Sequence, residues 1–188
     1  PLEYRIDIEK ALEKSLDHAL LVCYGNTIKS LVDRKLKICS QTIEIYNNLL
    51  NILDENGSVD LPFDVIEALD IAIASLHPPC VRFMTEQETT HALISIMKNP
   101  NVQIIGHPDD SRYPINYKEL VYGAKESGKL LEVNNNSLDP RCTREHGKEN
   151  YMKMLEYCKK LKVPVIVNSD AHVDHLVGYH TFAYELLK

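Results

Sequence analysis

The sequence predicts an α/β protein whose parallel strands form a partial or distorted barrel, behind a helical N-terminal segment. Three observations predict it. Strand and helix signals alternate from about residue 49 onward, the order produced by parallel strands joined through right-handed crossovers. The strands are nearly continuous apolar runs, as in a sheet covered on both faces or closed into a barrel. Three of them end alike, in "IASLH", "QIIGH" and "VIVNSDAH".

The first 48 residues read differently. Ile8, Ala11, Leu12, Ser15, Leu16, Ala19 and Leu20 recur at helical spacing, and a second such pattern runs through Ile28, Leu31, Val32, Cys39, Ile43 and Tyr46. "YGN" at 24–26 is a turn signal between them. The expectation is a helix hairpin over 1–48, with "ALLVCYG" as a short strand in the alternative, and an α/β region over 49–188.

After the loop "DENGSVDLP" (54–62), residues 70–77 form a strand. Residues 85–99 form a helix, with Thr85 and Glu88 spaced as a capping box. A strand at 102–107 precedes a helix at 116–128 that stops at Gly128. A strand follows at 129–135. Residues 144–162 contain a helix with Tyr151, Met154, Leu155 and Cys158 on one face. "VPVIVNSDAH" closes the series.

A chain of 188 residues suits one sizeable domain. The net charge of −6 argues against duplex nucleic acid as an obligatory partner. No run of eighteen apolar residues suggests a membrane span, and the charged start does not read as a signal peptide. The first residue is Pro rather than Met, which fits a processed or partial chain. Five cysteines without a CxxC pair point to reduced thiols and a cytoplasmic setting. Nothing in the sequence bears on oligomeric state.

In a parallel α/β barrel all strand C-termini open on one face, where active sites are built. His77, His107, Asp170 and His172 therefore converge from three strand ends. Three imidazoles and a carboxylate make a ligand set suited to zinc, manganese or iron. The bland alternative for each is a cap or a surface residue. Other candidates are weaker. Cys142 has no positioned base, and His91 lies within a helix. Asp109 and Asp110 shape a turn after His107, with Asp109 as a candidate support for the ligands. His175 and His180 read as surface or helix-packing residues. The polar loop "NNNSLDPRCTREHGKEN" offers Arg141, Arg144 and His146, and a guanidinium suits bidentate contact with phosphate.

"SLHPP", "IIGHPDD", "LEVNNNS" and "VNSDAH", in this order and spacing, resemble the later strands of the PHP domain, the polymerase and histidinol phosphatase superfamily of metal-dependent phosphoesterases. The likeness covers about residues 49–188 and is closest to the small stand-alone phosphatases. It implies a distorted barrel of seven βα units, with up to three metal ions at the strand C-termini. By that resemblance His77 and His107 match a pair on one metal, Asp170 a carboxylate on a second, and His172 a ligand of the third. Glu132 matches a strand acid, and Arg144 falls near a basic residue of a substrate-facing loop.

The sequence also departs from the family. His-x-His is absent, Asp17-His18 stands inside a helical pattern, and Leu49 occupies the place of a bridging glutamate. Fewer ions than three are therefore expected. The resemblance implies hydrolysis of a small phosphate ester by a metal-activated water, with no catalytic side chain beyond the ligands. The alternatives are a degenerate, non-catalytic metal-binding or regulatory module, and an α/β protein whose strand-end histidines are structural.

Overall fold

Residue parity along the strands decides which side chains face the helices. The computed structural model describes residues 4–5, 37–38, 41–42, 47–172 and 176–188, those before 49 as backbone only. Six strands form one sheet: β1 (Tyr4–Arg5), β4 (Asn47–Asn51), β5 (Ile71–Ser75), β6 (Ile104–Ile105), β7 (Leu130–Asn134) and β8 (Val165–Asn168). Their order is β1-β8-β7-β6-β5-β4, and every pairing is parallel. The short β2 (Lys37–Ile38) and β3 (Gln41–Thr42) pair antiparallel apart from it.

From β4 to β8 each strand lies beside its predecessor, and a helix occupies each crossover: α1 (Phe63–Glu67), α2 (Glu86–Met97), α3 (Tyr117–Ser127) and α4 (Gly147–Leu161). This stepwise winding is that of a partial barrel. A last helix, α5 (Thr181–Leu187), follows β8.

The sheet has two apolar faces. Ala72, Ala74, Ile105, Leu131, Val133, Val165 and Val167 pack with Leu93, Met97, Leu120, Tyr151 and Met154 of the helices in the main core. The alternate residues Ile73, Ile104 and Ile166 form a second cluster, flanked by Leu49, Ile71 and Leu130. Both faces of β5 to β8 are thus covered, which is why these strands read as unbroken apolar runs.

The helix boundaries follow local chemistry. Thr85 accepts from the Glu88 N–H while Glu88 reaches back to the Thr85 N–H, the expected capping box. Asn116 caps α3, and Gly128 ends it at φ 69, a left-handed conformation natural to glycine. The helical expectation for 1–48 lies mostly outside the described residues. Where they are described, residues 4–5, 37–38, 41–42 and 47–48 are strands instead. At β1 the reason is tertiary: the edge of β8 carries backbone groups that need partners, and β1 supplies them. The strand expected over 102–107 shortens to two residues, because the chain turns at His107, where φ is 31. Among the described residues no helix is long and apolar enough to cross a membrane.

Candidate active site

The inner face of the sheet changes character toward the strand C-termini. Continuing its parity upward from Leu49, Ile73, Leu130 and Ile166 brings Asn51, Ser75, Glu132, Asn134 and Asn168 to the same side. Glu132 is the hub. Its Oε1 accepts from Asn168 Nδ2 at 2.7 Å, and its Oε2 accepts from the His107 backbone N–H at 2.6 Å. Gly106 makes this approach possible. A Cβ there would press into the Ser75 hydroxyl and lie 2.9 Å from Ile73 Cγ2 and 3.5 Å from Glu132 Oε2.

His107 follows that glycine in a tight turn, in which the Asp109 N–H donates to the His107 carbonyl at 2.8 Å. His77 stands two residues beyond β5, with Nδ1 2.8 Å from Asn51 Oδ1. The two rings meet edge to face, their centroids 4.9 Å apart and their Nε2 atoms 3.1 Å apart. Burial drives the His77 pKa down to about 4, helped by the Arg144 guanidinium and opposed by Asp60. Burial likewise holds His107 well below the usual imidazole range, with Arg144 and His77 adding to the shift. Both imidazoles are therefore neutral at pH 7, the form that ligates a cation.

The carboxyls shift the other way. Burial pushes Glu132 up to about 7, with Asp170 adding and the hydrogen bonds from Asn168 and His107 opposing. Burial also raises Asp109 to about 7 against the pull of Arg144. Asp109 fits beside the start of α4 only because residue 147 is glycine, where a Cβ would lie 2.7 Å from its Oδ2.

Beyond β8 the chain turns again at Asp170, where φ is 52. Asp170 Oδ2 lies 3.4 Å from Asn136 Nδ2 and 3.9 Å from Arg144 Nη2. Arg144 also donates to the Ser137 hydroxyl. His172 is exposed, and its Nδ1–H donates to the Asp170 carbonyl oxygen at 2.9 Å. The structure thus brings His77 to His107 and Arg144 to Asp170, as neighbouring groups coupled through Glu132. Among the described residues no three His, Cys, Asp or Glu side chains converge on a common point.

The His77–His107 pair nevertheless fits a transition metal. Nitrogens held about 2.0–2.1 Å from one zinc ion at a tetrahedral angle lie about 3.3 Å apart, close to the spacing found. Asn51 Oδ1 accepts from His77 Nδ1–H, which leaves Nε2 as the lone pair facing its partner. Asp170 Oδ1 is buried without a hydrogen-bond partner among the described residues, as an anionic ligand in reserve would be.

The remaining candidates divide clearly. Arg141 is exposed and pairs with Asp139 at 2.6 Å. Asp110 pairs with Arg112 at 2.5 Å and shapes the turn. His91 is an exposed helix residue with Nδ1 2.8 Å from the Glu55 carbonyl oxygen. His180 is buried and packs at a tilt against the Tyr184 ring of α5, their centroids 5.7 Å apart. Asp17, His18 and His175 lie outside the described residues. Asn51 and Asn168 were not legible as site residues. The available signal was parity: each ends a strand on the inner face.

No family model matches the chain. Curated bacterial relatives do. A protein named probable phosphatase from Clostridium novyi is 43% identical over 138 residues, 73% of this chain and 56% of its own length. One from Acetivibrio thermocellus is 37% identical over the same shares. Another, from Clostridium botulinum, is 41% identical over 165 residues, 88% of this chain and 65% of its own. The chain spans between half and two thirds of these relatives. Over most of its own length it is therefore similar to bacterial proteins named probable phosphatase.

Proposed function

We propose that this protein is a metal-dependent phosphoesterase of PHP type that hydrolyses a small phosphate ester. One observation carries the reading: two neutral imidazoles, each delivered by a strand C-terminus, face each other Nε2 to Nε2 at 3.1 Å. The phosphatase names of the relatives agree with it.

His77 and His107 would hold one cation, with Asp170 and His172 as ligands toward further ions. Bound zinc, manganese or iron would polarise the phosphoryl oxygen and lower the pKa of a water molecule. Arg144 would steady the phosphate. Its guanidinium is anchored on Ser137 and Asp170, so it is oriented before substrate arrives. Glu132 holds the His107 turn in place through its backbone N–H. The net charge fits a small substrate, and the free Cys80, Cys142 and Cys158 among the described residues fit a cytoplasmic setting.

A second reading rests on Leu49. It pairs in register with Ile73 on the inner wall and packs against the apolar cluster there. No bridging carboxylate stands at that position, which favours a module that binds about one ion without turnover.

Metal analysis separates the two. A phosphoesterase holds two or three transition ions per chain and cleaves p-nitrophenyl phosphate, with loss of cleavage on chelation. One ion without cleavage supports the module. A metal-free protein whose melting ignores chelator rejects both.

A further inference from the structure

We infer that Asp60 is a positioning residue that selects the His77 tautomer by orienting the Asn51 amide. The proposal rests on the metal-site reading of His77 and extends it to a residue outside the ligand set.

The geometry is a two-step relay. Asn51 ends β4, and Asp60 follows the turn that returns to it. Asp60 Oδ1 accepts from the Asn51 backbone N–H at 2.9 Å, and its Oδ2 accepts from Asn51 Nδ2 at 2.6 Å. The Asp60 N–H donates back to the Asn51 carbonyl at 3.2 Å. Three bonds thus lock one residue to the other across a closed turn, which the Ile52–Val59 bridge stiffens.

The consequence for His77 follows from donor chemistry. A carboxylate only accepts, so the amide NH2 of Asn51 must face Asp60. Oδ1 then faces His77, 2.8 Å from Nδ1. A carbonyl oxygen also only accepts, so the proton of neutral His77 sits on Nδ1 and the lone pair on Nε2. Nε2 is the atom 3.1 Å from its counterpart on His107. Without Asp60, the amide is free to turn over and present its NH2 to Nδ1. That would move the ring proton to Nε2 and remove the ligand atom. Partners behind metal-bound histidines act in this way, and their loss typically weakens metal binding about 10- to 100-fold.

The test uses the isolated protein with Asp60→Ala and the isosteric Asp60→Asn, read first without metal. Ring nitrogen NMR reports the His77 tautomer, and zinc titration against a chromophoric chelator reports affinity. Wild type is expected to show a single Nδ1–H tautomer. Both variants are expected to show an Nε2–H population and zinc affinity lower by about tenfold. Asp54→Ala is the control, since Asp54 caps Asn56 and Ser58 in the same turn without touching Asn51. It should leave the tautomer and the affinity unchanged. Should the Asp60 variants keep the wild-type tautomer, or Asp54→Ala reproduce their losses, the proposal is overturned. Wild type that takes up no zinc overturns the metal-site readings of the protein but not the present proposal, because the metal-free tautomer still decides the role of Asp60.

Discussion

On the helix side of the sheet, Ala72, Ala74, Leu131, Val133, Val165 and Val167 are apolar from one end of their strands to the other. On the inner side the same strands begin with Leu49, Ile73, Leu130 and Ile166 and finish with Asn51, Ser75, Glu132, Asn134 and Asn168. The difference is confined to the C-terminal layer of one face. It shows how a single set of strands separates an apolar core from a polar layer: side chains one residue apart point into different environments. The polar layer is held together inside by Glu132, whose carboxylate accepts from the His107 turn after β6 and from Asn168 of β8, while Ser75 Oγ and Asn168 Oδ1 are buried without a hydrogen-bond partner among the described residues.

The contrast is open to direct attack. The largest effect is expected on the helix side. Leu131 is fully buried there, and Leu131→Ala should cost about 3 kcal/mol in urea unfolding. The variant should keep its zinc affinity when assayed well below its unfolding midpoint. A loss of affinity matching the loss of stability would show that the faces are not separable.

The inner layer should behave in reverse. His77→Ala is expected to lower metal-stimulated cleavage of p-nitrophenyl phosphate at least about a hundredfold, near 2.7 kcal/mol of barrier, while the melting temperature of the metal-free protein stays nearly unchanged. Unaltered cleavage would remove His77 from the site.

The smallest effect is a pH slope. Glu132 has a folded pKa pushed from 4.5 up to about 7. Between those values the native state holds more protons than the unfolded one, so this contribution is present below pH 4.5 and lost as pH rises through about 7. Asp109 acts in the same direction, from 3.8 to about 7. His77 has the opposite sign, because its folded pKa falls from 6.5 to about 4 and its stability contribution is lost as pH falls through that window. Above about pH 6.5 only the carboxyls remain, so metal-free melting temperature should drop between pH 6.5 and 8. Glu132→Gln should flatten that drop, and an equal slope in wild type and variant would show that Glu132 does not titrate there.

Much of the α/β half was legible in residues. The Thr85–Glu88 box and the Gly128 stop mark helix ends through bonds that are local in sequence, so spacing alone reveals them. The strand at 102–107 was overextended because apolar pattern does not show where the backbone will turn, and His107 turns it. The short β1 was not legible because it depends on β8, which lies about 160 residues away. The nearness of His77 and His107 was legible from their place at strand ends. Asn51 and Asp60 were not, because an amide and an exposed acid near a turn look like ordinary loop chemistry until a third residue is seen to depend on them.

Alone, the amino-acid order determined the alternation of strands and helices, the caps, and which strands end in histidine or aspartate, since each depends on near neighbours and on residue type. Tertiary structure decided the rest: which strands lie side by side, that two imidazoles from strands 30 residues apart meet at Nε2, and that Arg144 rather than another base reaches Asp170. Those outcomes depend on strand register and on the burial of neighbouring groups, and both are set only when the sheet closes its long-range pairings.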